Sequence, residues 1–170
     1  NKNNILPLSK EPTYGYLKLG DDTGSTFKNS LSQKLKIHTV DASLPNDKII
    51  QALASYKKVI IGFHRSNASP WKASSFSKKE HQLLTALTKD HSIILDVFVK
   101  PYVLSSLGNL DAIDGLVVSY QNSSIAQKAS AEILLGERKA SGRLPVSIAP
   151  SYPVGTGITL VGPTELGTGT

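Results

Sequence analysis

His64-Arg65-Ser66-Asn67 puts an imidazole, a guanidinium, a hydroxyl and an amide on consecutive positions, directly after the apolar run Val59–Phe63. Sugars are held by such dense sets of donors and acceptors, and arginine brings a planar fork of five donors. Trp71, the single tryptophan, follows closely and has the flat face needed to stack on a sugar ring. The same residues also suit a surface loop on which Trp71 packs as a lid over the core. Tyr102, Gln121 and Asn122 stand just after two later apolar runs and join the same candidate set.

These positions matter only if the elements before them place them together. Strand-like runs occur at Tyr14–Leu19, Lys36–Val40, Val59–Phe63, Ile93–Val99 and Gly115–Tyr120. Three contain near-continuous apolar stretches, as strands covered on both faces should. Helical patterns alternate with them. Ser77-Lys78-Lys79-Glu80 is a capping box ahead of Leu83, Leu84 and Leu87. Ser124–Gln127 is a second capping box, with Ile125, Ala129 and Ile133 recurring behind it and Gly136 placed to stop the helix. Asp47–Ser55 carries Ile49, Ile50 and Leu53 on one side, and Ser25–Leu35 is a weaker helical stretch. The alternation predicts a three-layer α/β sandwich, flavodoxin-like, with a mostly parallel sheet of five or six strands. Leu144–Ile148 is the candidate sixth strand, in antiparallel sense. In an open parallel sheet, ligands meet the loops at the carboxyl ends of the strands. His64–Asn67, Lys100–Tyr102 and Gln121–Ser123 should therefore share one edge.

Other chemistries find little support. Gly20-Asp21-Asp22-Thr23-Gly24-Ser25 follows the first strand, but its glycine spacing fits neither the dinucleotide nor the P-loop pattern. Its two carboxylates would also repel phosphate, so they read as turn and cap residues. The four histidines, His38, His64, His81 and His91, lack metal-ligand spacing. No Gly-x-Ser-x-Gly elbow is present. No metal or other cofactor is implied. Asp96, late in the fourth strand, has a cleft-facing reading and a buried structural one. Asn67-Ala68-Ser69 and Asn122-Ser123-Ser124 match the glycosylation sequon, a short pattern.

The last third of the chain carries the most specific string. A strand (Gly115–Tyr120), a helix (Ile125–Leu135) and a Gly136-Glu137 step lead into Ser141-Gly142-Arg143-Leu144-Pro145-Val146-Ser147-Ile148. This series resembles the carboxy-terminal sandwich domain of glycoside hydrolase family 3. Lys2-Asn3-Asn4-Ile5-Leu6-Pro7-Leu8 is similar to the stretch where chains of that family leave the catalytic barrel. The resemblance covers about Lys2 to Val154. It implies that Asn1–Pro12 is a linker from a barrel domain not in this sequence and that residues 13–150 are the sandwich, while Ser151–Thr170, with several glycines and prolines and little periodicity, reads as a tail. It implies a retaining, exo-acting β-glycosidase whose nucleophilic aspartate lies on the barrel. The domain here would shape the sugar site and lack activity by itself, its partners being that barrel and a β-linked sugar. In the glucosidase-like branch, a loop of this domain lends an acid/base glutamate. None of Glu11, Glu80, Glu132, Glu137 and Glu165 follows a core strand. The chain thus stands closer to the β-N-acetylglucosaminidase branch, with β-glucosidase as the runner-up. Lys100-Pro101-Tyr102 departs from the family's Asn-Pro-Tyr by its lysine. A periplasmic or secreted location is what the resemblance favours. A stand-alone flavodoxin-like binding or interaction module is the reading from a different class.

Composition sets the outer bounds. With 170 residues, 39% hydrophobic and 19% charged, the chain fits one globular domain. No apolar run approaches the ~20 residues of a membrane span. The net charge of +6 comes mostly from lysines scattered singly or in pairs, which suits a solvated surface rather than a nucleic-acid interface. Without cysteine there is no disulfide or thiolate chemistry. Methionine is absent too, so an excised piece of a longer polypeptide is the simplest expectation, and no signal peptide opens the chain.

Overall fold

The computed structural model describes residues 1–66 and 75–162. Apolar runs form the strands β1 (Thr13–Leu19), β2 (Lys36–Val40), β3 (Lys58–His64), β4 (Ser92–Phe98) and β5 (Gly115–Val118). Between them lie α1 (Ser25–Ser32), α2 (Asn46–Leu53) and α3 (Lys78–Leu87), and α4 (Ser124–Leu134) follows β5. All neighbouring strands are parallel, in the order β2-β1-β3-β4-β5. This is the flavodoxin-like order, whose direction reverses beside β1 and β3. Helices α2 and α3 cover one face and α1 and α4 the other.

Side chains alternate across the sheet and split the core in two. Leu17, Ile61, Leu95 and Val97 pack toward α2 and α3, with Leu53, Leu83 and Leu87. Tyr14, Tyr16, Ile60, Ile94 and Phe98 pack toward α1 and α4, with Phe27, Leu31, Ala131 and Leu134. β3 and β4 are buried along almost their whole length, as their unbroken apolar runs require.

Caps fix where the helices begin. At α3 the Ser77 side chain accepts from the Glu80 amide, and Glu80 accepts from the Ser77 amide at 2.7 Å. The box expected at Ser124–Gln127 takes a different form. Ser123 is the N-cap, its hydroxyl accepting from the Ala126 amide at 3.2 Å. Gln127 turns inward, and α4 buries Gln127, Ser130, Ala131 and Leu134 rather than the Ile125–Ala129–Ile133 stripe. Ile125 is 83% exposed. The polar residues can face inward because each has a partner there. Gly136, at φ 73°, ends the helix with Glu137 N–H reaching Glu132 C=O at 2.8 Å.

The sixth strand does not form among the described residues. Leu144 spends its N–H on Thr156 C=O and its C=O on Gly155 N–H, and Ile148 N–H reaches Tyr152 C=O. The segment folds on its own continuation, and Pro145 has no N–H to offer a sheet. Leu144, Val146 and Ile148 are half-buried beside the free edge of β5, not in the core. Residues 151–162 hold no helix or strand, but Leu160 and Ala140 exchange two backbone hydrogen bonds and the Tyr152 hydroxyl donates to Asp111. At the other end, Leu6 and Leu8 are buried against the α1/α4 layer, and Leu8 N–H bonds Leu134 C=O at 2.7 Å.

Candidate functional site

Because all five strands run in parallel, the loops after β1, β3, β4 and β5 emerge at one edge. There the strand period separates His64 from Arg65. His64 faces the α1/α4 layer and Arg65 the α3 side, so residues adjacent in sequence enter two different networks.

His64, the last residue of β3, is fully buried. Its ring stacks on Phe98 at 4.4 Å between centroids. Glycines make the room: a Cβ on Gly24 would lie 2.4 Å from Nε2, and one on Gly62 2.5 Å. The hub of this network is Asn122, in the loop between β5 and α4. Its Nδ2 donates to Thr23 C=O at 2.9 Å, and its Oδ1 accepts from Gln127 Nε2 at 2.8 Å. With Oδ1 so fixed as an acceptor, His64 Nδ1 must be the protonated nitrogen across their 2.7 Å contact. Nε2 is then a buried lone pair, with no hydrogen-bond partner among the described residues. Burial pushes the imidazole pKa down to about 4, against the hydrogen bond to Asn122, which raises it. His64 is thus neutral at pH 7. Gln127 completes the set, donating to Thr23 C=O at 3.0 Å and accepting from Phe27 N–H at 3.1 Å. Two loops, the end of β3 and the first turns of α1 and α4 are locked together by side-chain amides.

Arg65 builds the second network. It pairs with Glu80 at 2.9 Å and Asp21 at 3.7 Å, donates to Ser75 C=O at 3.1 Å, and lies over the Phe63 ring at 5.0 Å. Glu80 also accepts from Gly20 N–H at 2.8 Å. Both carboxylate oxygens of Glu80 are therefore occupied, one by the β1 loop and one by its own helix cap and Arg65. Lys18 holds the same loop from below, donating to the carbonyls of Gly20 and Asp22. A hydrogen bond from Asn122 holds the Asp22 carboxyl below the usual range.

The remaining candidates are more open. Ser66 is half-buried, and Asn67 and Trp71 lie outside the described residues. Tyr102 is 61% exposed, on the short helical turn Pro101–Leu107. Gln121 is exposed, and its N–H closes a three-residue turn onto Ser119 C=O at 2.7 Å. The central residue of that turn, Tyr120, sits at φ 62°, a strained setting for an aromatic side chain. The edge thus brings His64 and Asn122 into direct contact and sets Arg65 apart from them. Tyr102 and Gln121 share the edge without a hydrogen bond to either.

Among the described residues, no cluster of three or more histidine and carboxylate side chains could hold a metal ion, and no helix is long and apolar enough to cross a membrane. Sequence reasoning missed Gln127, Thr23 and the role of Glu80. The signal for Gln127 was present: it shares a helical face with Ala131 and Leu134. Asp96 takes the buried structural reading, with no exposed surface.

Part of a β-glucosidase has the same fold. The protein, from Paenibacillus barengoltzii, aligns with a TM-score of 0.61 at 15% identity, over 88% of this chain and 22% of that one. The β-glucoside phosphorylase BglX aligns with a TM-score of 0.48 at 15% identity, over 79% of this chain and 26% of that one. This chain therefore spans about a quarter of the length of each of these two proteins. No family model matches it, and no curated protein does.

Proposed function

We propose that this chain is the second, non-nucleophile domain of a retaining exo-acting β-glycosidase of family 3, with β-N-acetylglucosaminide as the substrate. The observation that carries the reading is the fold it shares with about a fifth of a β-glucosidase, read together with the Ser141–Ile148 string. A domain of that share would meet a barrel at the edge that carries His64, Arg65, Ser66, Tyr102, Gln121 and Asn122. The fixed amide network suits a surface that must hold its shape while another domain supplies the nucleophile.

The choice of substrate branch rests on the carboxylates. Retaining glycosidases need a nucleophile and an acid/base about 5 Å apart. Glu80 is the one described glutamate near this edge, and both its oxygens are taken. Glu132 pairs with Arg138 and Glu137 with Lys34, away from it. An acid/base placed on the barrel leaves this domain without that duty. The β-glucosidase likeness favours β-glucoside as the second reading.

The test compares the isolated chain with the same chain joined to its upstream barrel, on nitrophenyl N-acetylglucosaminide and nitrophenyl glucoside. The joined protein should turn over the first substrate and the isolated chain neither. Saturable activity of the isolated chain that tracks the protein through mutation overturns the reading. Preference of the joined protein for the glucoside moves it to the second branch.

A further inference from the structure

Asp96 stands inside β4, opposite Gly62 of β3 and Val117 of β5, on the face covered by α1 and α4. A charge in such a layer is unfavourable unless paired. No cation pairs with it among the described residues. Its Oδ1 accepts from the Ser119 hydroxyl at 2.9 Å, and its Oδ2 is hydrogen-bonded to the Ser130 hydroxyl. Ser119 directly follows the edge strand, and Ser130 lies in the middle of α4. One side chain of the central sheet thus ties down both outer elements.

The surroundings are otherwise nearly free of titratable groups. β1 contributes Tyr16, whose buried hydroxyl has no hydrogen-bond partner among the described residues. β3 contributes neutral His64, already engaged with Asn122. α1 presents Phe27 and Leu31, and α4 presents Gln127, Ala131 and Leu134 beside Ser130. The charged residues of these helices, Lys28, Lys128 and Glu132, make no pair with Asp96, and Glu132 is bound to Arg138. Burial pushes the Asp96 carboxyl up to about 7, against the pull of the two serine hydroxyls.

We propose that Asp96, Ser119 and Ser130 form a proton-controlled latch that fixes the end of β5 and the middle of α4 onto β4. A protonated carboxyl gives one hydrogen bond and accepts the other, so both serines are held with no buried charge. Once ionised, the carboxylate draws both hydroxyls more strongly, yet the apolar layer then holds a charge, so an opening of β5 and α4 that lets water reach Asp96 costs less. Both serines line a cleft of about 560 Å³ between β5, α4 and the segment after Lys139. Loosening the latch frees two of its walls. The direction follows from linkage: a carboxyl raised by folding holds the latch shut at low pH and releases it as pH climbs through the folded value.

Amide hydrogen exchange reads this directly. The chain is measured at about pH 5.5 and about pH 8.5, corrected for intrinsic rates, beside Asp96→Asn and Ser130→Ala. Protection of Gly115–Ser119 and Ser124–Leu134 should fall at the higher pH, by up to about tenfold per pH unit as pH climbs to the folded value and no further beyond it. β1 and β3 should keep theirs. Asp96→Asn should remove the pH dependence, and Ser130→Ala should lower protection of α4 already at the lower pH. Equal protection at both pH values in the unmodified chain overturns the latch, as does an unchanged response in Asp96→Asn. Should that variant not fold, the carboxyl carbon of Asp96 is followed by NMR in the unmodified chain. A midpoint near neutrality supports the proposal, and one near 4 overturns it.

Discussion

His64 and Asp96 should push stability in opposite directions over one range of pH. His64 falls from an ordinary 6.5 to about 4 on folding, because its neutral ring is buried. The unfolded chain binds the extra proton between those values, so stability is fully present above 6.5 and lost as pH falls toward 4. At about 1.4 kcal/mol per pH unit the whole effect is about 3 kcal/mol. Asp96 rises from 3.8 to about 7, again through burial. Here the folded chain binds the extra proton, so stability is present below 3.8 and lost as pH climbs toward 7, by about 4 kcal/mol in total. Between about pH 4.5 and 6.5 the two slopes nearly cancel, and each variant should uncover the partner's slope. His64→Gln keeps a donor for Asn122 and should lose about 3 kcal/mol of stability relative to the unmodified chain as pH rises through that window. Asp96→Asn should gain a similar amount. The assay is urea unfolding at half-unit pH steps and constant salt, with m held common if the transitions remain two-state. Asp41, held below the usual carboxylate range by hydrogen bonds to Ser43, is shared by all three proteins and drops out of the differences, and Asp22 changes only through its charge interaction with His64, the last of the causes acting on it. Three parallel pH profiles would refute the reasoning.

Asn122→Ala strips the acceptor from His64 Nδ1 and one partner from Gln127, so it should cost about 2–4 kcal/mol in urea unfolding. Gly24→Ala should cost about 1–3 kcal/mol by overpacking the His64 ring, read as a fall in the thermal midpoint. Gly142 has open space around it, so Gly142→Ala should change stability by less than about 0.5 kcal/mol. Leu144→Ala, at a half-buried position, should stay below about 2 kcal/mol, short of the range for a core leucine.

The sheet was readable because β3 and β4 need cover on both faces, and that need writes itself as Val59-Ile60-Ile61 and Ile93-Ile94-Leu95. The capping box at Ser77 was readable because both partners lie within one turn. The edge chemistry was only half readable. Sequence adjacency made His64 and Arg65 look like one constellation, whereas the strand period turns them to opposite faces. Which face of α4 goes inward depended on Thr23 and Asp96, far away in the chain, so a local count of Ile125, Ala129 and Ile133 chose the wrong stripe. The sixth strand failed for a similar reason. Leu144–Ile148 has the alternation of a strand, but Gly155 and Thr156 claim the backbone of Leu144 first.

Leu6 and Leu8 change the mechanics of whatever is joined before Asn1. Twelve free residues would span up to about 40 Å and let an attached body swing widely. Here Lys2 N–H is bonded to Asp114 C=O and Leu8 N–H to Leu134 C=O, with two leucines sunk between α1 and α4. The slack is taken up, and the pivot moves from Thr13 back to the first residue. An upstream body would then be carried on a short, nearly rigid mount, its orientation set by the base of β5 and the end of α4.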